Sequence, residues 1–171
     1  YTTLFRSGLF ADNDKRKSAY FIVTKNGVIG TGKLKQTSAT VADGGSNIIV
    51  LRYADVLLML AECYAEKDDV SKSNEYLNLI KKRAGIEEVS IGDATLIKEE
   101  IALERRKELV NEGHRWFDLI RTGKAVEVMN AYFTRTPGYT GITISELNYV
   151  QPIPQGQIDT DSATKQNEGY N

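Results

Sequence analysis

The sequence predicts a mainly α-helical fold with a short β-hairpin near the N-terminus and a loop-rich C-terminal tail. Three observations support this prediction. Apolar residues recur at helical spacing between residues 48 and 134. Two short β-type segments flank a turn within the first 47 residues. All three prolines follow residue 136, where charged residues are few and irregular surface structure is expected.

The length and composition are those of one ordinary globular domain. The chain has 171 residues, of which 41% are hydrophobic and 26% are charged. We therefore expect a single domain with an irregular and hairpin segment at 1–47, a helical core at 48–134 and an irregular surface tail at 135–171.

The same composition excludes several classes of function. A formal net charge of −1 argues against nucleic acid as a partner, because phosphate binding requires a cationic surface. One cysteine, Cys63, and one histidine, His114, exclude the Cys- and His-rich zinc sites. The longest apolar run, Val56 to Ala61, is six residues and too short to cross a membrane. We expect no metal, no cofactor and no membrane-spanning segment.

The β-hairpin is predicted between Tyr20 and Lys35. Residues 20–24 are apolar and rich in β-formers, residues 25–27 supply a turn, and residues 28–35 resume the extended pattern. Residues 43–47 are expected to form a flexible loop.

The first helix is predicted from Leu51 to Ala65. Apolar residues leave it almost no polar face, so it is expected to be buried on nearly all sides. Asp68, Asp69 and Ser71 offer caps for a second helix that ends at Gly85, so that the pair forms an antiparallel helical hairpin.

Three further helices follow in the predicted core. They cover residues 93–111, 114–122 and 124–133. The third helix of the chain carries Glu104, Glu108 and Glu112 on one face, because they recur every four residues. A glycosidase needs two carboxylates that face each other across a cleft. Ion pairs are therefore the favoured interpretation, and an enzyme using Glu104 and Glu108 is the least favoured alternative.

A near-match to a phosphate-binding loop does not indicate a nucleotide site. Gly27 is followed by Gly32 and Lys33, but Leu34 stands where a magnesium-ligating Ser or Thr is required. The glycines also lie in a predicted hairpin rather than between a strand and a helix.

Charged residues on the helices predict a structural ion-pair seam instead of a site. Several charges share one face of the first helix, and buried charges need partners, which are expected on the third and fourth helices. The predicted seam comprises Arg52, Asp55, Glu62, Glu104, Arg105, Glu112, Arg115, Asp118 and Arg121. No catalytic residue is predicted, and the residues do not reveal which side chains contact a ligand.

Two residues of the fourth helix admit a second interpretation. Trp116 and Phe117 could form a platform for stacking on sugars. They are better explained as core, since Trp116 belongs to a periodic set with Leu119 and Ile120. His114 is interpreted as a capping or hydrogen-bonded residue, because no nucleophile accompanies it.

Ordered motifs add a resemblance to this interpretation. They are LRYADVLLMLAECYA at 51–65, KRAG at 82–85, ERRKEL at 104–109, EGHRWFDLIR at 112–121, PIP at 152–154 and QNEGY at 166–170. Together they resemble the C-terminal region of the SusD/RagB family, and the segment with Asp14 and Arg16 is a candidate upstream match. The tail departs from the family pattern at Gln157, Asp161, Ser162 and Glu168.

The resemblance implies a fold, a function and a location. The chain would be the C-terminal part of a single SusD/RagB-like domain, in which tetratricopeptide-like helix pairs pack into an irregular α-helical fold. The protein would bind a glycan or another nutrient without catalysis, and deliver it to a SusC-like TonB-dependent transporter. The implied location is the bacterial outer membrane, as a surface-exposed lipoprotein of a Bacteroidetes-type organism.

Two points complete these expectations. The lipid anchor is expected on an upstream cysteine, because Cys63 lies on the helix predicted to be most buried. The alternative function is a tetratricopeptide-like scaffold for protein–protein interaction without a small-molecule ligand, for which helical hairpins alone would suffice.

Overall fold

The computed structural model describes residues 8–23, 25–27, 29–33, 47 and 49–170. The chain divides into two compact units, an N-terminal unit that ends at His114 and a C-terminal unit that begins at Arg115.

Most of the secondary structure is helical, which confirms the predicted fold class. The elements of the N-terminal unit are α1 (Lys15–Tyr20), β1 (Phe21–Val23), β2 (Ile29–Thr31), α2 (Tyr53–Glu66), α3 (Val70–Ala84) and α4 (Ala94–Glu108). Helix α5 (His114–Arg121) begins at the boundary, and the C-terminal unit continues with α6 (Ala125–Arg135), a 3-10 turn (Glu146–Tyr149) and α7 (Gln155–Thr160).

The two strands form the predicted hairpin. They pair antiparallel with Ile22 opposite Gly30, and Gly27 takes a left-handed φ of 75° in the turn between them. The hairpin is shorter than predicted at its start, because Tyr20 belongs to α1. Thr24, Val28, residues 34–35 and all but Asn47 of the predicted loop lie outside the described residues.

The helical hairpin α2–α3 is built by the predicted caps. The Asp69 side chain accepts a hydrogen bond from the Lys72 N–H, which ends the turn and begins α3. Gly85 ends α3 in the left-handed conformation, with a φ of 75°. Asp93 caps α4 in the same way, accepting from the N–H groups of Thr95 and Leu96 at 2.8 Å each.

The core of the N-terminal unit lies between α2, α3 and α4. Small residues let α2 and α3 approach closely, and the Ser73 hydroxyl donates to the carbonyl of Ala61 across the contact at 2.8 Å. The main buried cluster consists of Ala54, Leu57, Leu58, Ala61, Ala65, Leu77, Ile80, Ile97 and Ile101. Burial of these apolar side chains is the main favourable term that holds the three helices together.

Helix α2 is not buried on all sides, so that prediction was wrong. Tyr53 is 72% exposed, Val56 and Met59 are each 43% exposed, and Cys63 also lies at the surface. The reason is geometric. Helices α3 and α4 pack against one face of α2, and in the described part of the chain the opposite face stays uncovered although its residues are apolar.

The tail is loop-rich as predicted, but it contains one helix that was not predicted. Helix α7 begins directly after Pro154, whose carbonyl accepts a hydrogen bond from the Gln157 N–H at 2.9 Å. The fixed φ of proline suits the start of a helix, so Pro154 initiates structure here instead of ending it.

Side-chain amides fasten irregular segments to the helices of the N-terminal unit. The Asn78 amide accepts from the N–H of Val89 at 2.9 Å and donates to its carbonyl at 2.8 Å. One turn earlier on α3, Asn74 pairs with Ile91 in the same way, at 3.0 and 2.8 Å. Each amide reproduces the hydrogen-bonding edge of a β-strand, and we call such a pair an amide clamp.

The C-terminal unit contains two further amide clamps. Asn130 of α6 pairs with both backbone groups of Ile144, at 2.8 and 3.0 Å. Gln166 pairs with both backbone groups of Ile153, at 2.8 and 2.9 Å. Backbone groups that have no helix or sheet partner are satisfied in this way.

Truncating the core of α2 should destabilise the protein strongly. Leu58 is fully buried, so Leu58→Ala should lower the free energy of unfolding by about 2–5 kcal/mol through lost apolar contacts and the cavity left behind. Met59→Ala, on the exposed face of the same helix, should cost less than about 1 kcal/mol. Equal denaturant midpoints for the two variants would contradict the packing described for α2.

Breaking one amide clamp should loosen the segment that it holds. Asn78→Asp keeps an acceptor for the Val89 N–H but removes the donor to the Val89 carbonyl, which should cost about 1 kcal/mol. Hydrogen exchange at Val89 and Ile91 should become faster. Asn13→Asp, at an exposed position, makes the same chemical change and should leave that exchange unaltered.

Candidate functional site: a buried charge cluster

The densest group of charges in the described residues surrounds the C-terminal end of α4. Four segments that are distant in sequence contribute to it, namely the N-terminal segment, the start of α2, the end of α3, and α4 with the turn after it. Its members are Asp14, Arg16, Lys33, Arg52, Arg83, Glu104, Glu108 and Glu112. We call it the Glu108 cluster. Four acids face four bases, so the group is neutral overall.

Glu108 lies at its centre and is fully buried. Its Oε1 accepts from Arg52 Nη1 at 2.5 Å, from the guanidinium of Arg83 and from the Tyr20 hydroxyl at 3.1 Å. Its Oε2 accepts from Arg16 Nη1 at 3.1 Å. Three guanidinium groups from three parts of the chain therefore meet on one carboxylate.

The same residue also terminates α4. Its backbone carbonyl has no partner within the helix, and it accepts from Lys33 Nζ and from Arg52 Nη2, each at 2.6 Å. Cations at the C-terminal end of a helix are favoured by the negative end of the helix dipole. Arg52 thus satisfies both the helix end and the buried side chain of Glu108.

Arg16 links the N-terminal segment to α4. It is 4% exposed and forms a bidentate pair with Asp14, through Nε at 2.9 Å and Nη2 at 2.8 Å. Its Nη1 also donates to Glu104 Oε1 at 2.5 Å. The second oxygen of Glu104 is buried without a hydrogen-bond partner in the described residues. The bidentate pair with Asp14 orients the Arg16 guanidinium towards the carboxylates of α4.

Lys33 enters the cluster because of the glycine before it. A Cβ atom on Gly32 would lie 2.4 Å from the carbonyl oxygen of Ala19, so only glycine fits there. The Lys33 ammonium then reaches Glu112 Oε1 at 2.5 Å and lies 3.7 Å from the centre of the Tyr20 ring. Gly32 and Lys33, which resemble part of a phosphate-binding loop in sequence, thus contribute to an ion pair.

The electrostatics of the cluster follow from this geometry. Burial alone would raise the pKa of Glu108, but the hydrogen bonds and charge of Arg52, together with Arg83, outweigh it and hold the pKa at about 2. Burial lowers the pKa of Lys33 despite its contact with Glu112. A carboxyl group with so low a pKa stays ionised at neutral pH and cannot act there as a general acid.

The arrangement of the Glu108 cluster suits a structural role better than catalysis. Glu104 and Glu108 are both fully buried on one helix and are bridged by Arg16. A glycosidase pair would need to face an open cleft. Within the described residues no group of three or more His, Cys, Asp or Glu side chains could hold a metal ion, and no helix is both long and apolar enough to cross a membrane.

The structure brings several predicted seam residues together. Arg105 of α4 donates to Asp55 of α2 at 2.8 Å, and both are nearly buried. Arg52 Nε donates to Glu112 at 2.7 Å, and Glu104 pairs with Arg16. These pairs join α4 to α2 and to the N-terminal segment.

The remaining seam residues have other surroundings. Glu62 is half-buried on α2. Asp118 and Arg121 pair with each other within α5, at 2.8 Å. Arg115 is half-buried near the start of α5, where burial lowers its pKa and the charge of Asp118 opposes that effect.

Four members of the cluster were not anticipated as partners. Asp14, Arg16, Lys33 and Arg83 lie outside the predicted seam, and Glu108 appeared only in the carboxylate stripe. A local signal existed in the opposite charges of Asp14 and Arg16, two residues apart. Their partners on α4 are 88 and 92 residues further along the chain, and no spacing rule reaches that far.

The core interpretation was wrong for Phe117. It is 69% exposed, because the buried positions of the short helix α5 are taken by Asp118 and Leu119. Trp116 is half-buried and packs edge-on against Tyr149, with ring centres 6.1 Å apart.

Removing the central charge should destabilise the protein in a pH-dependent way. Glu108→Gln leaves three guanidinium groups short of an anion and should cost about 3–5 kcal/mol at neutral pH. The ionised form is favoured in the folded state, since the pKa falls from 4.5 to about 2. Its contribution is therefore complete above pH 4.5 and is lost as the pH falls towards 2.

The measurement is urea unfolding of both proteins over that pH range. The difference between wild type and Glu108→Gln should narrow below pH 4.5. Glu99→Gln, at an exposed position on the same helix, is the matched control and should differ little from wild type at any pH. A difference that is independent of pH would refute the assignment of a low pKa to Glu108.

Comparison with known proteins places the chain among related sequences. A family model described as the SusD family matches residues 3–170. SusD-like protein P38 from Formosa agariphila is 40% identical over 93 residues, which cover 49% of this chain and 18% of that protein. The chain spans about a fifth of the length of this curated relative.

Solved structures agree with that result. A SusD superfamily protein from Parabacteroides distasonis matches 99% of this chain and 41% of its own, with a TM-score of 0.78 and 25% identity. Surface glycan-binding protein A from Bacteroides thetaiotaomicron, in complex with laminarihexaose, matches 94% of this chain and 39% of its own, with a TM-score of 0.73 and 28% identity. With a family model that matches almost every residue and a fold shared with solved members, the chain belongs to the SusD family.

Proposed function

We propose that the protein containing this chain binds a glycan at the bacterial surface and does not cleave it. The observation that carries the proposal is the match to a surface glycan-binding protein whose structure holds laminarihexaose, because that match extends over 94% of this chain. A shared fold alone would be weak support, since one fold hosts many functions. Here the similar protein also shares 28% sequence identity with this chain, and its bound ligand is an oligosaccharide.

The described residues support a role without catalysis. Glu104 and Glu108, the two carboxylates considered as a catalytic pair, are buried and bridged by Arg16. The low pKa of Glu108 keeps it negatively charged at neutral pH. Neither residue is presented to a substrate. The Glu108 cluster therefore contributes to the scaffold on which a ligand site is carried.

Delivery to a transporter and attachment to the membrane complete the proposal. The protein hands its glycan to a SusC-like TonB-dependent transporter and is anchored in the outer membrane by a lipid on an upstream cysteine. Family membership supports both points. A lipid anchor binds a protein to the bilayer without any spanning helix.

A protein-binding scaffold is the second candidate function, and one observation favours it. Tyr53, Val56 and Met59 form an exposed apolar strip on α2. Scaffolds built from helical hairpins bind protein partners through such faces. In this alternative the partner is a protein and no glycan binds.

Binding and turnover experiments on the full-length protein separate these functions. We expect laminarihexaose or another oligosaccharide from a glycan panel to bind measurably by calorimetry, and to be recovered intact by chromatography after long incubation. Shortened products would indicate an enzyme. Failure of every glycan, together with capture of a protein partner that Met59→Asp abolishes, would favour the scaffold.

A further inference from the structure

The C-terminal unit contains a shallow, open pocket with a volume of about 570 Å³. Helix α7 contributes Gln155 and Ile158, and the segment after it contributes Lys165, Gln166 and Tyr170. The volume lies within the range of small-molecule pockets in proteins. The pocket lies far along the chain from the Glu108 cluster and shares no residue with it.

Two of its walls are held in place by hydrogen bonds. The Gln166 amide is clamped to both backbone groups of Ile153, at 2.8 and 2.9 Å. The Tyr170 hydroxyl donates to the carbonyl of Val150 at 3.1 Å. A wall that is already ordered loses little conformational entropy when a ligand binds.

The position of Tyr170 also depends on the glycine before it. Gly169 has a φ of 90°, and a Cβ atom there would lie 3.0 Å from the Cβ atom of Leu147. Glycine is therefore favoured on conformational and steric grounds. The backbone thus directs the Tyr170 side chain to the pocket.

The polar groups at the rim remain available to a ligand. Lys165 is exposed and has no ion-pair partner in the described part of the chain. The nearest acid before it in sequence, Asp161, is occupied by the N–H of Ala163 and the hydroxyl of Thr164, at 3.0 and 2.7 Å. Gln155 donates to Asp159 at 2.8 Å, and its side-chain carbonyl oxygen accepts no hydrogen bond from any residue that the structure describes.

The lining combines features that suit one class of ligand. Ile158 and the ring of Tyr170 offer apolar surface for the C–H face of a sugar, and the side-chain carbonyl oxygen of Gln155 offers an acceptor for a sugar hydroxyl group. Lys165 is the one charged residue among the five that line the pocket. An ammonium group that has no ion-pair partner in the described residues can pair with an anion on a ligand.

We propose that this pocket binds an acidic saccharide unit, with the Lys165 ammonium contacting the sugar carboxylate. The proposal rests on the function proposed above and adds a location and a ligand class to it. Tyr170 and Gln166 form the ordered wall, and Lys165 selects for the charge.

The test uses two trisaccharides of equal length, trigalacturonate and maltotriose, titrated into the full-length protein at low ionic strength. Trigalacturonate should bind about tenfold more tightly, because it alone can pair with Lys165. Lys165→Gln should remove most of that preference, and Lys165→Arg should restore it. Lys124→Gln, an equal change of charge at an exposed position in the same unit, should have no effect.

A second measurement locates the binding. Reductive methylation of Lys165 should slow at least about fivefold in saturating trigalacturonate, while methylation of Lys124 should not change. Equal affinity for both trisaccharides, an unaltered preference in Lys165→Gln, or no protection of Lys165 would overturn the pocket. Glycan binding that survives each of those results would leave the proposed function standing and the pocket refuted.

Discussion

A buried carboxylate needs positively charged neighbours to compensate for lost hydration, and three arginines from three parts of the chain pair with Glu108. Arg16 comes from the first described helix, Arg52 precedes α2 and Arg83 lies near the end of α3. Their guanidinium groups converge on one side chain at the end of α4. Such a group adds little net stability compared with an apolar core, but it penalises every arrangement that leaves a charge unpaired. It therefore fixes how the N-terminal segment lies on the helices.

Much of the fold is encoded locally and could be predicted. The caps at Asp69 and Asp93, the left-handed Gly85 and the periodic apolar positions of α2 to α4 all depend on residues a few positions apart. Partners for the charges of α2 were expected among arginines of the later helices, and the structure pairs Asp55 with Arg105. The carboxylate stripe on α4 was recognised too, although its partners were not.

The features that escaped prediction depend on contacts that no local pattern carries. Arg16 and Glu108 are 92 residues apart. Phe117 and one face of α2 are exposed because no described element packs on them, and the hydrophobicity of a residue alone does not predict that. The amide clamps are equally silent in sequence, since an asparagine on a helix reads as an ordinary surface residue. In the segment with Val89 and Ile91 they act together with apolar packing, because both side chains lie against the buried cluster.

The shared bonding within the Glu108 cluster constrains how this sequence can diverge. Arg16 serves Asp14, Glu104 and Glu108, and Arg52 serves Glu108 and Glu112. Replacing a member removes an ion-pair partner from at least one neighbour, so the effects of single replacements within the cluster are not expected to be additive. A substitution at one of these positions is therefore expected to be disfavoured unless a partner changes with it. We expect the eight residues to be exchanged together or retained together while exposed positions vary.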